Sequence, residues 1–306
     1  MNSVLQSLSL TSLLTDILLT EKEFSIEIRS YSEGTILNEY LNLLLLLSCG
    51  DYCVLTPNPF KQIFGHLNSA YFKNQQQDAH EFLLLLLDCL DKDITKIKSE
   101  NKNQNINQTE NNLTFLDLFY GSYKTTTTCL QCQQSSARLE PFICLSLPIS
   151  STNQCTLQDC LASVSQCEYL TDDSKWFCPV CKNLCDAERR LEIEKFPKIL
   201  IIQFKRFELN FEQKWMKNNT LVLYPEDNFD VKQYCFSPPT AQTLYTLYSV
   251  INHNGSINDG HYTTFSRNQS QWFECDDDQI KSLPSDKLHF NSKAYLLFYT
   301  LNQTSE

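Results

Sequence analysis

Two sets of residues in this sequence have types and spacing suited to chemistry. The first is Gly260-His261-Tyr262, followed ten residues later by Trp272-Phe273-Glu274-Cys275-Asp276-Asp277-Asp278. A histidine serves as base toward a thiol or hydroxyl when its second ring nitrogen is held, so that the correct nitrogen faces the nucleophile. His261 and Asp276 can be that base and its orienter. Taken singly, a His-Tyr pair in a strand is more often core packing, and an acidic run is more often a solvated turn. Their combination, with strand-like sequence on both sides, favours chemistry. Gly260 lets backbone and substrate approach closely, and Gly255 helps the preceding loop to turn. His253 belongs to the same loop region, whereas His66, His80 and His289 have no arrangement that favours catalysis over packing.

The second set is Cys129-Leu130-Gln131-Cys132 and Cys178-Pro179-Val180-Cys181. Each pair can present two thiolates from a tight knuckle, and two knuckles close a tetrahedral zinc site. Their separation exceeds the usual zinc-finger spacing, so the pairs must meet at the tips of two long hairpins. Thiol redox chemistry competes for a single pair, and unliganded buried cysteines are the plain alternative. Two pairs flanked by strand-like sequence favour metal. Cys185 could stand in as a ligand, and its role stays open. Four thiolates leave no position for water, so this zinc would be structural.

These residues need elements to position them. Val4, Leu8, Leu14, Ile17 and Leu18 have helical spacing over residues 1–19, and further helices are predicted at 35–48 and about 76–90. Residues 98–112, dense in Asn, Gln, Lys and Glu, read as a flexible insertion. Strands are predicted at 119–128, 142–149, 193–207, 245–251, 262–266 and 294–299. A helical N-terminal third beside a sheet-rich remainder is an α+β arrangement.

The chain has 306 residues, a net charge of −11, 42% hydrophobic residues and fourteen cysteines. It is long enough for one large domain or two small ones. The acidic balance argues against a nucleic-acid partner, whose phosphates need neutralising. The leucine runs 43–47 and 83–87 are too short to span a membrane, and no secretory signal follows Met1. Cytoplasm or nucleus is therefore expected, with reduced thiols.

Several further stretches, in one order, resemble the ubiquitin-specific proteases, the papain-like deubiquitinases. Met1-Asn2-Ser3-Val4-Leu5-Gln6-Ser7-Leu8 resembles the family's cysteine box from just after its nucleophile. Gln76-Gln77-Asp78-Ala79-His80-Glu81-Phe82-Leu83 resembles its glutamine-aspartate box, and the two Cys-x-x-Cys pairs its zinc ribbon. Pro197-Lys198-Ile199-Leu200 through Phe204-Lys205-Arg206-Phe207 resembles its core strand. The stretch from His253 through His261 to Ala294-Tyr295-Leu296-Leu297-Phe298-Tyr299 resembles its histidine box and final strand. The resemblance implies one catalytic domain over 1–306, with a helical thumb over about 1–112. Sheet palm and zinc-ribbon fingers would follow over 113–306, the ribbon around 129–181. It implies hydrolysis of the bond after ubiquitin's C-terminal glycine, through an acyl-enzyme. His261 would be general base and acid, Asp276 its orienter, and Asp277 a polar helper at the oxyanion or histidine. Asp78 and Glu81, three apart on one helix face, would pair with arginines of the ubiquitin tail. The ordinary reading of these two is charge favourable to a helix N-terminus.

One departure is severe. In the family, approximately Gly-Asn-Thr-Cys-Tyr precedes this opening, and neither that cysteine nor its upstream asparagine falls within residues 1–306. Cys275 should point to the opposite strand face from Asp276. Cys49, Cys53 and Cys89 lack a helix-start environment beside the histidine. The expectation is a deubiquitinase sequence whose start has been lost, the join falling at a methionine. As written the chain would be inactive, with weak ubiquitin binding. A ubiquitin-binding pseudoenzyme is the alternative. A zinc-ribbon interaction module explains only the four cysteines and would need a basic face.

Overall fold

The computed structural model describes residues 1–20, 35–49, 51, 54–72, 76–102, 118–150, 153–210, 212–236, 242–257, 259–284, 288 and 291–302. Cys53, His289, the Ile17 side chain and residues 103–112 of the polar segment lie outside this set. The chain forms two compact units. One comprises Met1–Leu118, Tyr248–Leu288 and Lys293–Phe298, and the other Phe119–Leu247, His289–Ser292 and Tyr299–Glu306.

The first unit opens with α1 (Asn2–Ser9) and α2 (Ser12–Thr20). The predicted single helix over 1–19 breaks because Thr11 N–H turns back to the Leu8 carbonyl, while the Thr11 hydroxyl bonds the Tyr248 hydroxyl at 2.7 Å. Val4, Leu8, Leu14 and Leu18 are buried, as their spacing requires. Next come α3 (Ile36–Cys49), α4 (Asn58–Leu67) and α5 (Ala79–Lys102). Helix α5 starts at Ala79 because the Asp78 carboxylate Oδ1 accepts the N–H groups of His80 and Glu81, at 2.8 and 3.0 Å. It continues to Lys102, so residues 98–102 of the polar segment are helical. Phe82, Leu83, Leu86, Leu87, Leu90 and Ile94 line its buried face. Phe64 of α4 meets Phe82 and Tyr71 edge-on, at 5.0 and 5.2 Å between ring centroids.

In the second unit, β1 (Gly121–Cys129) pairs antiparallel with β2 (Ser135–Phe142). After β3 (Cys144–Pro148) and β4 (Gln154–Thr156), the Thr156–Asp159 capping box starts α6 (Leu157–Val164). Strands β5 (Cys167–Leu170), β6 (Trp176–Cys178), β7 (Asn183–Cys185) and β8 (Ala187–Lys195) follow, giving one sheet ordered β2-β1-β8-β5. Pro197 separates β8 from β9 (Ile199–Lys205), which runs parallel to β3 and is nearly all buried. Buried Arg206 donates from Nη1 to the carbonyls of Asn218 and Thr220. Short strands β10 (Phe207–Leu209), β11 (Trp215–Lys217), β12 (Leu221–Leu223) and β13 (Phe229–Asp230) complete this stretch.

The remaining strands are β14 (Leu244–Gly255), β15 (Gly260–Asn268), β16 (Gln271–Asp276), β17 (Gln279–Ser282) and β18 (Ala294–Leu301). In the first unit they lie in the order β17-β16-β15-β14-β18. Helices and strands are thus segregated along most of the chain, the expected α+β class. No helix among the described residues is long and apolar enough to cross a membrane.

Candidate active site and cysteine cluster

In the first unit, the antiparallel pairing of β15 with β16 brings the histidine and the acidic run together, and each lies beside the turn of a further hairpin. The β14–β15 hairpin closes at Gly255 and Gly260, which face each other in register. Gly255 has φ +101°, a conformation suited to glycine. A side chain on Gly260 would collide with the His253 ring, because a Cβ built there falls 2.1 Å from Nε2. Gly260 thus admits the close approach of the His253 ring and of the Asn254 backbone carbonyl. His253 itself is buried against Tyr262 and Tyr295, a packing role.

The β16–β17 hairpin turns at Asp277 and Asp278, with Asp277 at φ +50°. Asp is one of the residues that tolerate this region. His261 Nε2 and Asp276 Oδ1 are 2.6 Å apart, both side chains half exposed. A ring nitrogen of His261 and carboxylate oxygens of Asp276 and Asp277 all lie within 4.8 Å of one another. With Nε2 held, Nδ1 is the nitrogen left for a reacting group. Cys275 is buried while Asp276 is exposed, the alternation expected of a strand. Burial pushes the Cys275 thiol up, which makes it a poorer nucleophile. Among the described residues, no cysteine thiol hydrogen-bonds to His261.

The opening helix is bonded directly to this site. Asn2 Nδ2 donates to Asp277 Oδ1 at 2.7 Å, and Gln6 Nε2 to the Asp277 carbonyl at 2.9 Å. Ser3 donates to the Tyr262 carbonyl, while its own carbonyl accepts from Thr264. Ser7, fully buried, shares a 2.9 Å hydroxyl contact with Ser249. The first turn of α1 therefore sits against the strand and turn that carry His261 and Asp277.

Asp78 and Glu81 differ in their surroundings. Asp78 caps α5 through Oδ1, and its Oδ2 accepts the hydroxyls of Tyr295 and Tyr262 at 2.7 and 3.2 Å. Glu81 is exposed. Gln76 opens the stretch that resembles the glutamine-aspartate box; its Oε1 accepts the Gly260 N–H and its Nε2 donates to Asp259. One side chain thus clamps the hairpin loop just before His261. Its partners lie 183 and 184 residues away, so no local signal could have exposed them.

The second unit gathers the predicted metal donors. The Sγ atoms of Cys129, Cys132, Cys178 and Cys181 all lie within 4.8 Å of one another, and Cys132 and Cys178 are 3.6 Å apart. The two knuckles share one backbone design. Gln133 N–H donates to the Cys129 carbonyl and Lys182 N–H to the Cys178 carbonyl, each at 2.9 Å, and both residues have positive φ. Leu130 N–H bonds the Asp186 carbonyl, tying the first knuckle to the strand after the second. Only the first knuckle tops a long hairpin; the second joins the three-residue strands β6 and β7. The Cys132 N–H is the main influence that pulls the Cys129 thiol down to about 6. Cys181 N–H also points at Cys178 sulfur, at 3.4 Å. Four converging thiols with backbone donors aimed at sulfur suit a thiophilic, tetrahedral ion such as zinc.

A family model described as ubiquitin carboxyl-terminal hydrolase matches residues 1–299. The chain is 30% identical to ubiquitin carboxyl-terminal hydrolase Usp2 of Drosophila melanogaster, covering 98% of this chain and 33% of that protein. It is also 30% identical to human ubiquitin carboxyl-terminal hydrolase 2, covering 98% of this chain and 53% of that one. The chain therefore spans between a third and about half of these relatives. Among solved structures, Ubp8 in a SAGA deubiquitinating module bound to monoubiquitin superposes with a TM-score of 0.80 at 25% identity. The match covers all of this chain and 67% of that one. The ubiquitin-aldehyde complex of the same module shares the fold, with a TM-score of 0.80 at 24% identity.

Proposed function

Because the chain belongs to the ubiquitin carboxyl-terminal hydrolase family, we propose that residues 1–306 are the ubiquitin-engaging scaffold of a thiol-dependent deubiquitinase acting in cytoplasm or nucleus. The reaction is hydrolysis of the isopeptide or peptide bond after ubiquitin's C-terminal glycine. The observation that carries this reading is the bonding of the first turn of α1 to the strand and turn holding His261 and Asp277.

His261 takes the proton of an attacking thiol through Nδ1 and later returns it to the leaving amine. Asp276, 2.6 Å from Nε2, fixes the ring and stabilises the imidazolium that forms in between. Asp277, held by Asn2, is a polar helper at the same edge. A helix N-terminus favours a thiolate beside it, which gives the placement of α1 a chemical purpose. Exposed Glu81 pairs with an arginine of the ubiquitin tail. Asp78 joins it with whatever capacity its capping and tyrosine bonds leave. Cys129, Cys132, Cys178 and Cys181 would hold zinc, which supplies structure and no open catalytic position.

The polypeptide 1–306 taken alone, with no thiol on His261, binds ubiquitin without cleaving it. Two chains test this: 1–306, and the same chain with Gly-Asn-Thr-Cys-Tyr placed ahead of Met1. The extended chain is expected to hydrolyse a ubiquitin–fluorophore ester or amide, and the shorter one not. In the extended chain, His261→Ala should lower the rate by roughly a thousandfold or more and Asp276→Asn by roughly a hundredfold or more. Turnover by 1–306 itself would refute its inactivity. Failure of both chains to bind ubiquitin would refute the ubiquitin reading.

A further inference from the structure

The four-cysteine cluster of the second unit has a fifth thiol packed against it. Cys185, at the end of β7, is 5% exposed and packs with Cys129 and Cys178, which are both fully buried. Its thiol donates to Gln131 Oε1 at 3.3 Å, and Cys181 packs against the same buried group. Gln131 lies inside the first knuckle, so Cys185 is anchored to the loop that carries Cys132. Cys132 is the exposed member of the predicted quartet. The cluster thus has a buried trio, a half-buried Cys181, and one exposed ligand that solvent oxidants and electrophiles reach first.

We propose that Cys185 is a reserve ligand that replaces Cys132 on the metal, so that the site can be held by Cys129, Cys178, Cys181 and Cys185. The inference rests on zinc occupying the four-cysteine site. Zinc suits such an exchange because it has no ligand-field preference for one geometry and readily passes through a five-coordinate arrangement. The step balances. Cys185 gives up its thiol proton as its sulfur binds, and Cys132 takes up a proton as its sulfur leaves. Four thiolates surround the ion before and after, and the charge of the site is unchanged. When Cys132 is alkylated its sulfur leaves as a thioether and takes up no proton, the Cys185 proton passes to solvent, and the exchange would keep the fingers folded.

The test uses the full chain 1–306, purified with zinc, and its Cys132→Ala, Cys185→Ala and double variants. Zinc is counted by atomic emission, and its affinity is ranked by competition with a chromophoric chelator. Each single variant is expected to keep one zinc with affinity within about tenfold of the parent, and the double variant to lose at least about a hundredfold. Iodoacetamide footprinting supplies a measurement that needs no variant. After alkylation of Cys132 in the zinc-loaded parent, zinc should stay bound, with Cys129, Cys178, Cys181 and Cys185 all unmodified. Zinc release on Cys132 alkylation, or a Cys132→Ala chain as zinc-poor as the double variant, would overturn the proposal. A parent chain without zinc would instead overturn the metal reading beneath it.

Discussion

The cysteine cluster and the histidine site are built on opposite principles. The cluster repeats one short device: a Cys-x-x-Cys knuckle with a positive-φ residue after it and a backbone bond closing the turn. Four like donors converge, as a site for one thiophilic cation requires. The histidine site has no repeated device. It draws Asn2, Gln6, Gln76, Asp78, Gly260, His261, Asp276, Asp277 and Tyr295 from four stretches of the chain. Side-chain hydrogen bonds, many over long sequence separations, fix it. If one ion holds the four thiols, the first design should fail all at once when that ion is removed. The second should fail by degrees, bond by bond.

Removing the ion is therefore the largest expected effect. Cys178→Ala, or prolonged chelation of the parent, should leave buried thiols and their backbone donors without a common partner. Structural zinc contributes folding free energy outright, so a fall in Tm of at least roughly 5 °C is expected in calorimetry. An unchanged Tm in the metal-free chain would mean that the knuckles are self-supporting, and the contrast with the histidine site would collapse.

That contrast also governs what could be read in advance. Both knuckles were legible because their chemistry lies within four residues, and His261 with Asp276 because one hairpin joins them. The role of Gln76 was not legible, since its partners are fixed only by the fold. Asp78 showed the same limit: its helix-capping side is local, whereas its bonds to Tyr262 and Tyr295 span 184 and 217 residues. Two short helices also carry local marks in the sequence. Pro59 stands in the first turn of α4, and Thr156 with Asp159 forms the box that opens α6.

Asp78 gives the next effect. Asp78→Ala removes the α5 cap and strands two tyrosine hydroxyls, for an expected loss of about 2–3 kcal/mol in urea unfolding. Asp78→Asn keeps an N-cap acceptor and should lose clearly less. If both variants unfold like the parent while ubiquitin affinity drops, Asp78 acts on the ligand and not on the scaffold.

Gly260 probes a single contact of the distributed site. His253 is buried in one three-ring cluster with Tyr262 and Tyr295, so an added methyl group forces its ring against packed neighbours. Gly260→Ala should destabilise by about 1–3 kcal/mol. Coupled with His253→Ala, the combined loss should be smaller than the sum of the two singles. Strict additivity would place the cost in the backbone instead, where the Asn254 carbonyl lies 3.0 Å from the same Cβ position.

The smallest effect sharpens the comparison from the local side. Asp159 is held below the usual carboxylate range, first by the Thr156 hydroxyl and then by the Thr156 N–H. Its folded value therefore lies under its unfolded one, near ~3.9. The capping box then contributes stability that is fully present above about pH 4 and is lost as the pH falls through the folded value. Asp159→Asn keeps a side-chain acceptor but cannot titrate. Its unfolding free energy should track the parent's with a small constant offset above pH 5, and the gap should narrow as acid protonates the parent's carboxylate. A gap that stays constant down to pH 2.5 would mean that the box acts through shape rather than charge. Parent and variant are compared at the same zinc concentration at each pH, because acid also protonates thiolates and that effect is common to both chains.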